Sequence, residues 1–177
     1  MQKLKFVRYD NRIYFDSVFM YMTDMDEQMM YLTYTPMNSV REFENWFENQ
    51  LKNFYKEFFI IENNKEMLGF VYSYEHHVQH GHCKIGVYIV PKLRNSGIGA
   101  IAGLQLMDYI FKHYTIKRIN CDVYEYNLES LLSLKKSGFE KTGIYKEYRF
   151  YNGRYYDLIL LTMTREFFEK KYSKIFG

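Results

Sequence analysis

Apolar and polar positions along this chain follow two periodicities. Residues 3–9 (KLKFVRY) alternate with the period of a half-buried strand. Residues 14–32 place apolar side chains at helical spacing and predict one or two short helices rich in Met and Tyr. Met20, Met22, Met25, Met29 and Met30 are expected to fill gaps in a core, the alternative being an adaptable binding surface of flexible thioethers. Thr35 and Pro36 interrupt the pattern. Ser39 and Glu42 then stand at capping-box spacing. Phe43, Trp46, Phe47, Leu51 and Phe54 recur every three or four residues, so an amphipathic helix is predicted there.

The period then changes. Residues 57–62 (EFFIIE) read as a buried strand, Asn63–Asn64 as a turn, residues 67–75 as a second strand and residues 82–90 as a third, all consecutive and antiparallel. Residues 98–112 are apolar almost all round, with Gln105, Asp108 and Lys112 on one narrow face, which predicts a helix buried against the sheet. Residues 117–124 supply a strand that a helix crossover makes parallel to its predecessor. Asn127 suits the N-cap of a following helix and Gly138 its end. Residues 145–151 and 154–163 flank Asn152–Gly153, a strong hairpin signal. The expectation is an α+β fold, with a central mixed sheet flanked by helices, no repeat and no linker.

One stretch carries candidate chemistry. Residues 87–103, VYIVPKLRNSGIGAIAG, run from a strand through a proline stop and a basic, glycine-rich loop into the buried helix. Arg94, Gly97 and Gly99 form R-x-x-G-x-G where the helix begins. Unpaired amides and the positive end of a helix dipole meet there, an arrangement that accepts a diphosphate. Gly97, Gly99 and Ala102 also satisfy the dinucleotide pattern G-x-G-x-x-A, but six residues, from Pro91 to Ser96, separate the strand from the first glycine. A loop of that length suits a wrap around a diphosphate better than a tight nicotinamide turn. No Gly-Lys-Ser/Thr follows, which sets aside an ATP P-loop.

Composition narrows the classes. The 177 residues suit a single domain spanning 1–177. A net charge of +3 gives no argument for nucleic acid. With 19 Tyr and 15 Phe, the core is expected to be aromatic-heavy. Cys83 and Cys121 have no metal-like spacing, and no signal peptide is evident, so a reducing cytoplasm is the default. No apolar run approaches the roughly 20 residues of a membrane span. The run His76-His77-Val-Gln-His80-Gly-His82 is expected to be a polar hairpin loop rather than a metal site, with only Glu75 as a nearby carboxylate.

YIVPKLRNSGIG resembles the acetyl-CoA-binding motif of the GNAT N-acetyltransferase superfamily. Two further segments resemble it in the same order. NLESLLSLKKSGF matches the family's helix segment at Asn127, Lys136, Gly138 and Phe139, and GIYKEYRFYNGRYYDLILLTM resembles the closing hairpin of the branch containing spermidine and ribosomal-protein acetyltransferases. The resemblance covers roughly residues 57–165. It implies acetyl-CoA as co-substrate, with its diphosphate on the amides of Asn95, Ser96, Gly97, Ile98 and Gly99 and its pantetheine arm along the backbone near Ile89 and Val90. It assigns Arg94 and Lys136 to phosphate and Asn127 to the cofactor side, and homodimers are common in that family.

The same comparison exposes two departures. Leu134 stands where the family carries a tyrosine general acid, and Lys84 where the related branch carries a glutamate. Glu75, His76 and His82 are the replacement candidates for proton handling, with His82 on the strand face of Lys84. Lys84 suggests an acceptor bearing phosphate or carboxylate, such as an amino sugar nucleotide. Tyr148, with Tyr151, Tyr155 and Tyr156, could wall the acceptor pocket. The expected activity is N-acetylation of a primary amine of a small metabolite. The alternatives are acetylation of a protein N-terminus and acyl-CoA binding without turnover.

Overall fold

The computed structural model describes residues 3–30 and 39–176. After β1 (Lys5–Arg8), the helices α1 (Asn11–Thr23), α2 (Met25–Met30) and α3 (Val40–Asn53) precede a meander of β2 (Tyr55–Asn63), β3 (Glu66–His77) and β4 (His82–Ile89). Then come α4 (Ile98–His113), β5 (Arg118–Tyr124), α5 (Leu128–Ser137), the hairpin β6 (Glu140–Tyr151) and β7 (Arg154–Thr164), and α6 (Arg165–Phe176). The strands form one sheet in the order β1-β2-β3-β4-β5-β7-β6, in which only β4 and β5 are parallel neighbours. The mixed α+β architecture matches the expectation.

Side chains sort to the two faces of the sheet by the period-2 rule. On one face Cys83, Ile85, Ile119, Cys121, Leu161 and Met163 pack under Leu106, Met107 and Ile110 of α4 and Phe168 and Tyr172 of α6. On the other, Phe58, Ile60, Phe70, Tyr88 and Val90 pack under Tyr14, Val18 and Met22 of α1 and Phe43 and Phe47 of α3. The second core is mostly rings: Phe43 stacks on Phe47 at 5.6 Å and Phe70 on Tyr88 at 4.8 Å. Each ring that leaves water contributes about 25 cal/mol per Å² of apolar area, so an aromatic-heavy chain closes its core with few residues.

Local signals act as expected at several joints. Ser39 accepts a hydrogen bond from the Glu42 amide at 3.2 Å, and Asn127 from the Ser130 amide at 3.2 Å. Asn152 and Gly153 both take positive φ, +46° and +84°, the geometry that a two-residue hairpin needs. Other expectations shift. The first hairpin turn is centred on Asn64 and Lys65, with φ +49° and +67°, one residue later than expected. Met22 is buried, but Met20 and Met25 are exposed, because the buried stripe of α1 runs through Tyr14, Val18 and Met22 and leaves Met20 outside it. The side chains of Met29 and Met30 and the break at Thr35 and Pro36 lie outside the described residues. Helix α6 had no counterpart in the sequence reading; Phe168 and Tyr172, one turn apart, seat it on Phe111 of α4.

Candidate active site

The sheet comes apart between β4 and β5. Their parallel pairing covers only His82–Arg118, Cys83–Ile119 and Lys84–Asn120, although β4 continues to Ile89 and β5 to Tyr124. At the crotch the Cys121 thiol donates to the Ile85 carbonyl across 3.9 Å. Beyond it, β4 has an open edge. The Val90 amide donates to Leu68 of β3 at 3.0 Å. Antiparallel pairing alternates, so the N–H and C=O groups of Ile85, Val87 and Ile89 point the other way, into the gap.

This edge runs straight into the glycine loop. Gly97, the N-cap of α4, has φ +85°, and no side chain caps the helix. Among the described residues the amides of Asn95, Ser96 and Gly97 donate to nothing, and Ile98 N–H reaches only Ser96 Oγ at 3.4 Å. A Cβ built on Gly97 meets no atom within 4 Å, so the space above the loop is open. An open strand edge that ends in bare amides at a helix N-terminus fits an extended amide-bearing arm followed by a diphosphate. Acetyl-CoA has that shape, and the residues present fit it.

The charged residues around this edge are arranged in ways the chain does not advertise. Arg94 turns away from the helix start. It donates through Nε to the Ile89 carbonyl at 3.2 Å, through both terminal nitrogens to the Glu27 carboxylate of α2, and lies 5.5 Å from the Tyr88 ring centroid. Its charge is therefore matched by Glu27 before any phosphate arrives. The next residue of α2, Gln28, accepts a hydrogen bond from Arg149 of β6 at 3.1 Å through its carbonyl, and Arg149 lies over the Tyr124 ring. Helix α2 thus spans the mouth of the gap on the α1/α3 face, held from both sides by an arginine.

On that face His82, Lys84, Gly86 and Tyr88 follow one another along β4. Lys84 Nζ lies 2.9 Å from Glu75 and 2.9 Å from Asp122 of β5, just where the strands part. Burial acts to lower the Lys84 pKa, but hydrogen bonds and attraction to Asp122 and Glu75 outweigh it and the net shift is upward, so the ammonium stays charged. Two carboxylates against one ammonium leave this cluster net negative. Glu75 reaches it from a β-bulge with φ +48°. The same bulge sends His76 to the opposite face, where it meets Ser73 Oγ at 2.8 Å and the Tyr114 ring edge-on at 5.1 Å. His76, one of the replacement candidates for proton handling, is thereby separated from Lys84 by the sheet.

Tyr72 and Asp122 are features that sequence reasoning missed. Gly86 leaves room for the Tyr72 ring to lie across β4; a Cβ at Gly86 would sit 2.5 Å from Tyr72 Oη. That hydroxyl has no hydrogen-bond partner among the described residues. Burial, with a smaller effect from Cys121, raises its pKa to about 12, so it keeps its proton at neutral pH. Leu134, at the expected tyrosine position, packs against the α4-side core. The signal for Tyr72 was the strand pairing Tyr72–Gly86, a large residue opposite one without a side chain.

The remaining candidates are scattered. Asn127 Oδ1 caps α5. Asn95 Nδ2 donates to Glu129 in the first turn of α5 at 3.0 Å, so α5 begins beside the loop. Lys136 is exposed seven residues beyond Glu129, or about 10 Å along the axis at 1.5 Å per residue. Tyr148 is exposed and stacks on Tyr145 at 5.8 Å, and Tyr155 is exposed beside Phe150, whereas Tyr156 is buried against Tyr126. His82 lines a cavity of about 270 Å³ with His80, Arg118, Asn120, Thr142 and Thr162. Among the described residues no group of three or more His, Cys, Asp or Glu is placed to hold a metal, and no helix is long and apolar enough to cross a membrane.

A sheet parted beside a bare helix N-terminus, with an ion cluster at the fork, has the shape to receive an acyl-thioester along its open edge. Residues 14–160 match the acetyltransferase (GNAT) domain, and the chain belongs to the GNAT acetyltransferase family. It is 28% identical over 132 residues to the SPbeta prophage-derived uncharacterized N-acetyltransferase YokL of Bacillus subtilis (strain 168), covering 75% of this chain and 73% of that protein. It is also 28% identical over 103 residues to the uncharacterized N-acetyltransferase YoaA of the same organism, 58% of each chain. The fold is that of the spermidine N-acetyltransferase from Vibrio cholerae solved with CoA and spermine (TM-score 0.84, 19% identity, 94% of this chain and 98% of that one). A ribosomal-protein-alanine N-acetyltransferase from Brucella melitensis shares it (TM-score 0.74, 16% identity, 91% and 99%). The chain is thus an acetyl-CoA-dependent N-acetyltransferase of the GNAT type.

Proposed function

We propose that this enzyme acetylates a primary amine of a small metabolite, with the amine entering on the α1/α3 face at the fork between β4 and β5. The observation that carries this reading is the Lys84–Glu75–Asp122 cluster at the point where pairing stops. Acetyl-CoA supplies the activated acetyl group. The amides of Asn95 to Gly99 hold its diphosphate, and the outward-facing amides of Val87 and Ile89 hold the arm and donate to the thioester carbonyl. Asn127 and Lys136 are assigned to the cofactor side by family resemblance, and Arg94 shapes the loop through Glu27.

Amine acetylation requires loss of a proton from an ammonium. The net negative cluster attracts that ammonium, and Asp122 or Glu75 accepts its proton directly or through water, while Lys84 remains charged and orients both carboxylates. Tyr72 retains a proton beside the fork and is placed to return one to the departing thiolate. General acid–base help of this kind is worth about 10²–10⁴-fold in rate. His82 stands two register pairs away from Lys84 on the same face, and Tyr148 on the exposed rim of β6.

A peptide acceptor needs an open groove on this face. Helix α2, tied to Arg94 on one side and Arg149 on the other, narrows it, which favours a small amine over a protein N-terminus. The test is thiol release from acetyl-CoA across a panel containing spermine, an amino sugar, aminoalkyl phosphates and N-terminal peptides. Turnover of one of the small amines is expected. Faster turnover of the peptides than of every small amine would overturn this reading.

A further inference from the structure

The cavity next to the fork has a chemistry that the transfer reaction itself does not use. His80, His82, Arg118, Asn120, Thr142 and Thr162 line it, and no carboxylate is among them. We propose that it seats an anionic tail of the acceptor, a carboxylate or a phosphate ester, while the amine end lies at Lys84, Glu75 and Asp122. This assignment rests on the small-amine reading above and narrows it to an acceptor carrying both charges.

Three observations support it. First, Arg118 is exposed and makes no ion pair or side-chain hydrogen bond within the described residues, unlike Lys84, Arg94 and Arg149. A guanidinium offers a planar fork of donors suited to a carboxylate or phosphate. Second, the neutral groups orient one donor, the Asn120 amide. Thr162 Oγ1 donates to Asn120 Oδ1 at 2.8 Å, which leaves the Asn120 amide nitrogen as the free end, while the Thr142 hydroxyl is engaged within the protein, 3.4 Å from the Leu160 carbonyl and 3.1 Å from the Thr162 hydroxyl. Third, Arg118 supplies the fixed positive charge of this cavity, and imidazoles gather beside it. The His82 ring is 4.8 Å from that of His77 and 6.4 Å separates the rings of His80 and His82. Burial and then repulsion from His77, His80 and Arg118 lower the His82 pKa, with Glu75 opposing them, so His82 favours its neutral form and offers a hydrogen-bonding ring rather than a second charge.

The placement also fits one molecule reaching both sites. His82–Arg118 and Lys84–Asn120 are two residues apart in the parallel ladder, or about 7 Å at 3.3 Å per residue. The two ends of the acceptor therefore meet opposite fields: net negative at the fork, positive in the cavity. Lys84, whose charge is already matched by Glu75 and Asp122, does not set the preference for an anion; Arg118 does.

The same chemistry could come from a separate anion that binds as an effector, and the test distinguishes the two. The enzyme and its Arg118→Gln variant are assayed with a matched pair, an aminoalkyl phosphate and the corresponding amino alcohol, with and without inorganic phosphate. The wild type is expected to show a KM for the phosphate-bearing amine about tenfold below that for the alcohol, and Arg118→Gln to abolish this ratio. Inorganic phosphate should compete with the phosphate-bearing amine. Equal KM values for the pair in the wild type would overturn the proposal. Stimulation of amino-alcohol turnover by phosphate, lost in Arg118→Gln, would also overturn it and make the cavity an effector site. Binding is read separately by thermal shift, so that absence of turnover with either amine does not decide the matter. Stabilisation of the wild type but not Arg118→Gln by the aminoalkyl phosphate supports the cavity assignment even then, and stabilisation of neither contradicts it.

Discussion

Gly97 and Gly153 form a matched pair that separates backbone strain from cofactor binding. Both lie in the left-handed region, at φ +85° and +84°, and a Cβ on either meets no atom within 4 Å. An L-residue there costs about 1–2 kcal/mol, and the lost flexibility of the unfolded chain returns about 0.4–1 kcal/mol for Gly→Ala. Each substitution should therefore destabilise by about 0.5–1 kcal/mol. For a chain of this size that lowers Tm by roughly 1–4 °C. Their functional effects should differ. The Gly97 Cβ enters the open space above the amides of Asn95, Ser96 and Gly97. Loss of one charge-assisted hydrogen bond to a diphosphate is worth about 1.5–3 kcal/mol, or roughly 10- to 150-fold in affinity. Gly97→Ala should raise the KM for acetyl-CoA by that factor, while Gly153→Ala leaves it unchanged. Gly97→Asn, which tolerates positive φ, should keep more stability than Gly97→Ala but share its loss of affinity. An acetyl-CoA KM for Gly97→Ala within twofold of wild type would refute the assignment of the loop, as would an equal rise in Gly153→Ala.

Three further perturbations probe the surrounding frame. Glu27→Gln removes the partner of a largely buried guanidinium, with side chains 12% and 21% exposed, and should cost about 3 kcal/mol in urea unfolding; a loss under 0.5 kcal/mol would contradict the bridging role of α2. Gly86→Ala places a Cβ 2.5 Å from Tyr72 Oη and 2.6 Å from Cε2, so overpacking should cost about 1–3 kcal/mol, and Tyr72→Phe should restore less than half of it because the ring itself is in the way. Burial, then Lys56, lowers the His76 pKa below 6.5. The unfolded chain therefore takes up this proton first as pH falls, and stability should decline from about pH 6.5 downward. His76→Gln should flatten that decline; an unchanged slope between pH 7 and 5 would contradict it.

Much of the frame was legible because it is written locally. The glycine loop, the Asn127 cap and the Asn152–Gly153 turn each follow from residues within a few positions of one another. The site was less legible because its pairings are distant. Arg94 meets Glu27 across 67 positions, and no local rule joins them. Asp122 meets Lys84 only because β4 and β5 run parallel in a register that the α4 crossover sets. The Glu75 bulge breaks the alternation that would have kept His76 and His82 on comparable terms, and sends the two histidines to opposite faces. Helix α6 carried a signal, Phe168 and Tyr172 one turn apart, but its charged residues leave the apolar stripe only one side chain wide. The Met-rich segment shows the limit of composition: burial on α1 follows the Tyr14–Val18–Met22 stripe rather than residue type.

The central claim is that the β4 edge and the loop from Asn95 to Gly99 hold acetyl-CoA. The most direct measurement is a thermal-shift titration with acetyl-CoA, CoA, NAD⁺ and NADPH. A ligand bound only by the folded state stabilises by about 2.7 kcal/mol at a hundredfold excess over Kd, which corresponds to a rise in Tm of roughly 5–10 °C here. The account predicts that rise with acetyl-CoA and CoA, none with the nicotinamides, and its reduction to about half or less in Gly97→Ala but not in Gly153→Ala. No shift with either CoA species, or an equal shift in both variants, would contradict it.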